Sequence, residues 1–106
     1  MRILVDYEGA SIRLTDERLA HILEHPEMKS MQEEIERTVR APEVVVRSAS
    51  DAGAALHYRF YVGTRVGDKW LCVVVKYREE DAFVLTAYLT DRPKKGEQLW
   101  PRIAKE

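Results

Sequence analysis

A chain of 106 residues and 12.3 kDa, 45% hydrophobic and 33% charged with 5 Gly and 4 Pro, has the makeup of one folded domain, since single domains commonly hold ~100 to 150 residues; a large barrel enzyme and a two-domain dehydrogenase are excluded. A formal net charge of -1 excludes a generic nucleic-acid coat, and the single Cys72 excludes an internal disulfide or a thiolate-rich zinc site. No apolar run approaches the ~18 residues of a membrane span and no basic start precedes an apolar stretch, so a cytoplasmic protein with no membrane partner is expected.

Arg2 to Tyr7 alternates Ile3 and Val5 with other residues, Glu8-Gly9 offers a turn, and Ser11 to Leu14 follows, which predicts a short opening hairpin. Thr15 reads as an N-cap with Asp16 and Glu17 in the first turn. Leu19, Ile22 and Leu23 then recur at helical spacing until Pro26 closes the segment after His25. Glu27 to Arg40 carries Met28, Met31, Ile35 and Val39 and stops before Ala41-Pro42, a second amphipathic helix. After Pro42 the period becomes strand-like over Val44 to Arg47, Leu56 to Thr64, Lys69 to Arg78 and Ala82 to Leu89. The ending from Asp91 is polar apart from Leu99, Trp100 and Ile103, and Leu99-Trp100-Pro101 reads as a clasp over the core. The expected fold class is α+β, with N-terminal helices packed on one face of a twisted antiparallel β-sheet, in one domain over residues 1–106.

Charge is unevenly placed. Residues 1–40 hold 6 basic and 9 acidic side chains and residues 41–106 hold 11 and 9, net -3 and +2, so an anion-binding surface is expected from the second half. If Gly67-Asp68 is a two-residue turn, Arg59 faces Lys76 and the partners share a face with His57, Tyr61, Arg65, Trp70 and Arg78, while Leu56, Tyr58, Phe60 and Val62 join Leu71, Val73, Val75 and Tyr77 on an apolar face. An odd loop at Glu79-Glu80-Asp81 then buries Phe83, Leu85, Ala87 and Leu89 and brings Val84, Thr86 and Tyr88 to the face of Lys76. Like charges opposite each other are destabilising, and a bound anion would explain Arg59 against Lys76; two side chains reaching into water explain it equally well. Hydroxyls and aromatic rings beside the cations are the mixture that holds phosphate and stacks bases.

His21-Ile22-Leu23-Glu24-His25 matches the H-x-x-E-H string of inverted zinc peptidases. Pro26 cuts the helix directly after the second histidine and no third ligand can be argued, so no metal site is expected. Both histidines lie away from the arc of Leu19, Ile22 and Leu23, and an imidazole near neutrality can move protons.

The string His21-Ile22-Leu23 with His25-Pro26-Glu27, then Ile35, Pro42, Tyr58-Arg59, Val73-Val74-Val75-Lys76 and Phe83-Val84-Leu85-Thr86-Ala87-Tyr88 resembles the phage-type nuclease-like domains of the barnase/EndoU/colicin/RelE superfamily, over roughly residues 10 to 100. The resemblance implies a metal-independent endoribonuclease of the toxin type that needs no cofactor, with RNA as substrate and a cognate inhibitor or antitoxin protein as partner. By position it implies a catalytic set of His21 or His25, Arg59, Lys76, Thr86 and Tyr88; the strand parity above adds His57, Tyr61, Arg65, Trp70 and Arg78 as expected RNA-binding residues. A histidine of the first helix would reach the basic face only around a sheet edge. The alternative expectation is a non-catalytic RNA- or protein-binding module on the same scaffold.

Overall fold

The computed structural model of the protein describes residues 1–102. Alternation at the N-terminus makes two strands, β1 (Arg2–Val5) and β2 (Ser11–Leu14), paired antiparallel with Arg2 opposite Leu14. Their turn is closed by Asp6, whose Oδ1 accepts the backbone N–H of Glu8 (2.9 Å) and Ala10 (2.8 Å), with Gly9 in the left-handed region at φ 88°. Thr15 is extended and its hydroxyl accepts the N–H of Arg18, which ends β2 and starts α1 (Asp16–Leu23). Pro26 opens a short 3-10 turn (Pro26–Met28), and Ser30 at φ 75° interrupts the chain again. The single helix expected over Glu27 to Arg40 is therefore that turn followed by α2 (Gln32–Arg40).

Five further strands follow: β3 (Val44–Arg47), β4 (Ala54–Thr64), β5 (Gly67–Arg78), β6 (Asp81–Thr90) and β7 (Gln98–Trp100). They form one sheet in the order β1-β2-β6-β5-β4-β3-β7. The expected α+β class is corrected by this architecture. The molecule is a mixed, sheet-dominated fold of seven strands, with a parallel β2–β6 contact and helices of only 8 and 9 residues. Prolines 26 and 42 and the left-handed Ser30 keep the helices short, whereas the β-branched and aromatic runs of β4, β5 and β6 extend to 11, 12 and 10 residues.

Register is the second correction. The β4–β5 turn lies at Arg65-Val66, with Thr64 opposite Gly67, and the ladder shifts between Tyr61 and Thr64 around Gly63 at φ 72°. Arg59 is then opposite Leu71, and Lys76 opposite Ala54. An odd slip exchanges the two faces of β4, because side chains alternate with period two. Ala55, His57 and Tyr61 thus share the helix side with Leu71, Val73 and Val75, while Leu56, Tyr58 and Phe60 join Trp70, Cys72 and Val74 on the other side. The last hairpin turns tightly at Glu79-Glu80 with Arg78 opposite Asp81, and a second irregularity leaves Val75 opposite Val84 but Val74 opposite Thr86. Ala82 and Val84, not Phe83, therefore face the core before that point; beyond it Ala87 packs in the core, with Leu89 against it, as expected.

Both faces of the sheet are covered. Ile22, Met28, Ile35 and Val39 pack on Leu71, Val73, Val75 and Val84 on the helix side. On the other side Val46, Leu56, Tyr58 and Cys72 form a smaller cluster. The segment from 91 to 97 crosses over it to reach β7: the Lys94 N–H donates to the Tyr58 hydroxyl (3.1 Å), and Gly96 lies against Val46. Leu99 and Trp100 extend the sheet beside β3, where the Trp100 ring meets Tyr7 at 5.4 Å, so the roof over the core is the preceding segment; Ile103 lies outside the described residues. Among the described residues no helix is long and apolar enough to cross a membrane.

Candidate functional site

The corrected register separates the expected basic pair. Lys76 stands on the helix-free face and is paired with Asp51 from the β3–β4 loop, Nζ to Oδ2 2.6 Å. Arg59 points to the helix side, where Nη1 donates to the carbonyl of Ala41 (2.7 Å). His57, expected on an RNA-facing surface, is fully buried, and Tyr61 is half-buried with its hydroxyl on the carbonyl of Glu34 and the hydroxyl of Thr38, both at 3.1 Å. Burial raises the Tyr61 pKa. Arg65 is exposed in a turn, far along the hairpin. Arg78 stacks on the Phe83 ring at 5.3 Å, opposite Arg13 at 5.2 Å, and Trp70 meets Phe60 edge-on at 5.4 Å. The face therefore carries no single phosphate-sized gathering of Arg59, Lys76 and Thr86.

A different part of the expected set does come together, at a sheet edge. The parallel contact of β2 with β6 is one residue pair, Arg13 with Phe83, because Thr15 turns the chain into α1 directly afterwards. Beyond Phe83 the outer edge of β6 has no strand partner among the described residues and presents backbone donors and acceptors. The 3-10 turn packs beside that edge. His25, Glu27, Met28, Thr86, Ala87, Tyr88 and Leu89 line a cleft of about 120 Å³ there. A second cleft of about 290 Å³ adjoins it, sharing Glu27 and Leu89 and adding Val66, Lys69, Thr90 and Asp91.

Chain geometry at Pro26 explains why a helical histidine can serve this edge. The residue before a proline avoids helical angles; His25 is extended at ψ 125°, and its exposed side chain leaves the helix axis for the cleft. His21 stays on α1, exposed, with Nδ1 3.5 Å from Glu24 Oε2 and its ring 6.4 Å from that of His25. Since α1 ends at Leu23, the two histidines do not share a helical face as the zinc-peptidase string requires. Among the described residues no group of three His, Cys, Asp or Glu side chains is placed to hold a metal ion.

Glu27 is the functional candidate that residue patterns missed. One of its carboxylate oxygens, Oε1, is shut off from solvent and has no hydrogen-bond partner among the described residues. Such a group is costly to leave unmet, and the residue that carries it lines both clefts. Its signal was present in the His25-Pro26-Glu27 string, where proline fixes the backbone between a histidine and a carboxylate. Thr86 sits half-buried on the strand opposite, and Lys69, bridged to Asp91, lines the adjoining cleft.

Tyr88 contributes its body to the cleft, while its phenol belongs to another cluster. Burial, and the Cys72 thiol and Tyr58 hydroxyl beside it, raise its pKa, so it is a neutral donor at physiological pH. The same burial pushes Tyr58 up to about 12 and the Cys72 thiol up to about 11. Comparison with protein-family models, with curated proteins and with solved structures returns no match for this chain.

Proposed function

We propose that the protein is a metal-independent endoribonuclease whose reaction centre is the cleft at the free edge of β6. The observation that carries this reading is that His25, Glu27 and Thr86 line one small cleft. A volume of about 120 Å³ is well below that of drug-sized pockets, ~300 Å³ and upward, and suits a phosphodiester group lying against the strand edge.

Cleavage within RNA needs a base, an acid and donors to the phosphate. The Glu27 carboxylate takes the proton of the ribose 2′-hydroxyl, and the 2′-oxygen forms a bond to phosphorus. The bond from phosphorus to the 5′-oxygen breaks, and the imidazolium of His25 gives that oxygen its proton. The products are a 2′,3′-cyclic phosphate and a 5′-hydroxyl, with Glu27 protonated and His25 neutral until water exchanges the two protons. The Thr86 hydroxyl and the free backbone donors of β6 meet the non-bridging oxygens, where charge grows in the transition state. Each step is carried by a side chain of this cleft, so the chemistry requires no cofactor. A toxin of this type needs a protein inhibitor, and the same open edge is where one would act.

The test is incubation of the purified protein with transfer and messenger RNA in EDTA, followed by analysis of the ends formed. Cyclic phosphate ends, lost in His25→Ala and Glu27→Gln with folding intact, support the reading; no cleavage by the wild type overturns it. The second reading, a non-catalytic RNA-binding module, is favoured by the partly exposed Phe60 against Trp70 on the helix-free face. It predicts salt-sensitive RNA binding that survives both substitutions.

A further inference from the structure

We propose that Asp6, Tyr77 and His57 form a buried chain holding one shared proton beyond the count of an ionised carboxylate beside a neutral imidazole, and that this proton latches the β1–β2 turn onto strands β4 and β5. The three side chains come from the turn after β1, from β5 and from β4, and none belongs to the cleft beside β6. His57 is 0% and Asp6 4% exposed.

Three contacts fix the proton count. His57 Nδ1 lies 3.2 Å from the carbonyl of Val73, which can only accept, so Nδ1 carries a hydrogen. His57 Nε2 lies 3.1 Å from the Tyr77 hydroxyl, and that hydroxyl lies 2.8 Å from Asp6 Oδ2. A phenol has one hydrogen and can serve only one of these neighbours. If it serves Asp6, Nε2 must carry a second ring hydrogen; if it serves Nε2, the hydrogen between Tyr77 and Asp6 must come from the carboxyl. The two arrangements contain the same number of protons. Without that proton, two acceptors would face each other at hydrogen-bond distance in the interior, where an unmet polar group costs most.

The surroundings hold this geometry in place. Asp6 Oδ1 is occupied by the N–H groups of Glu8 and Ala10, which aims Oδ2 at Tyr77. The Tyr7 ring stands 5.7 Å from His57, edge-on. Tyr77 forms one wall of a cleft of about 340 Å³ with Tyr7, Glu8, Arg47 and Leu99, and this gives the chain its route to solvent. Glu8 is bridged to Arg102, and Arg47 to Glu97, so these charges are matched before they reach the chain. Among the described residues Asp6 is the charged group that acts on the ring of His57. Burial pushes the His57 pKa down to about 4, which favours the arrangement that keeps the ring neutral.

The unfolded chain differs in count. A free Asp and His, with ordinary values of ~3.9 and ~6.5, together hold one proton between those values and none above them. Folding therefore takes up a proton above about pH 7, and stability falls there as pH rises. An ionised Asp6 with a neutral His57 gives the opposite pattern, stability rising from about pH 4 to 6.5 and level above.

The experiment is urea unfolding of the whole protein from pH 4.5 to 9, wild type against Tyr77→Phe, with the backbone amide shifts of Glu8 and Ala10 followed by NMR over the same range. The expected result is a wild-type unfolding constant that is level near pH 5 to 6. Above pH 7 it rises about tenfold per pH unit relative to Tyr77→Phe, up to one midpoint at which both amides shift together. A wild-type unfolding constant that falls between pH 4.5 and 6.5, a ratio to Tyr77→Phe that is level above pH 7, or amides of Glu8 and Ala10 that stay fixed to pH 9, would overturn the proposal. If Tyr77→Phe does not fold, the wild-type amide titration decides alone.

Discussion

The ammonium of Lys76 lies 2.6 Å from Oδ2 and 2.7 Å from Oδ1 of Asp51, so the cation that the sequence offers to a phosphate is already held by a carboxylate of the β3–β4 loop. The bond to Lys76 first, and the Gly53 N–H second, draw the Asp51 pKa below the ordinary carboxylate value. Asp51 is ionised and paired at neutral pH; its contribution is fully present above ~3.9 and is lost as pH falls through its lowered value. Lys76→Ala is expected to leave RNA cleavage within about twofold of wild type while removing this acid-side dependence of stability. Cleavage assays and urea unfolding between pH 2 and 6 check both parts.

The acid and base roles proposed for the β6 edge have separate signatures in pH. A carboxylate base works only when deprotonated and an imidazole acid only when protonated, so kcat/KM should be bell-shaped. Glu27→Gln is expected to abolish the acidic limb and His25→Ala the alkaline limb, each lowering the rate roughly 10²- to 10⁴-fold. His21→Ala, on α1 and outside the lining of the cleft, should keep both limbs. Initial rates on one RNA substrate across the pH range decide this, and a His21→Ala profile missing its alkaline limb would move the acid role to α1.

Much of this fold could be read in advance from particular residues. The Thr15 cap, the proline stops and the β-branched runs locate both helices and every strand except β7, because each is a local preference written within a few positions, while the 3-10 turn at Pro26–Met28 reads as part of the second helix. Register could not be read the same way. Gly63 and Gly67 both adopt positive φ, at 72° and 97°, and nothing in their own chemistry says that the shift falls at the first and that the two-residue turn precedes the second. That single ambiguity moved Arg59 and His57 from one side of β4 to the other. The candidate site was partly legible: His25, Thr86 and Tyr88 were named, but their meeting depends on β2 pairing with β6 at one residue only, a relation between segments about seventy residues apart in sequence.

Cys72 should be chemically quiet. It is fully buried and burial pushes its thiol up to about 11, so at pH 8 roughly one molecule in a thousand carries the thiolate that alkylating reagents attack. Labelling with iodoacetamide is expected to be complete in urea and slow, by about 10²-fold or more, in the folded protein; equal rates would place the thiol at the surface.

The crossing segment over the smaller core cluster has no spare room at Gly96, where an added Cβ would stand 2.8 Å from Val46 Cγ1. Gly96→Ala is expected to destabilise the protein by about 1–3 kcal/mol, the usual cost of overpacking. Val46→Ala in the same chain should recover part of that loss, a non-additivity that a double-mutant cycle in urea measures.

Thr15 has an influence out of proportion to its size. Had the chain stayed extended for two residues beyond Leu14, positions 14 to 16 would have lain alongside Val84 to Thr86 in continuation of the Arg13–Phe83 pair and sealed the crevice from outside. A single hydroxyl accepting one amide hydrogen diverts the backbone into a coil of helix instead. The width of the mouth of this cleft is thus set at a capping position, by a residue outside its lining.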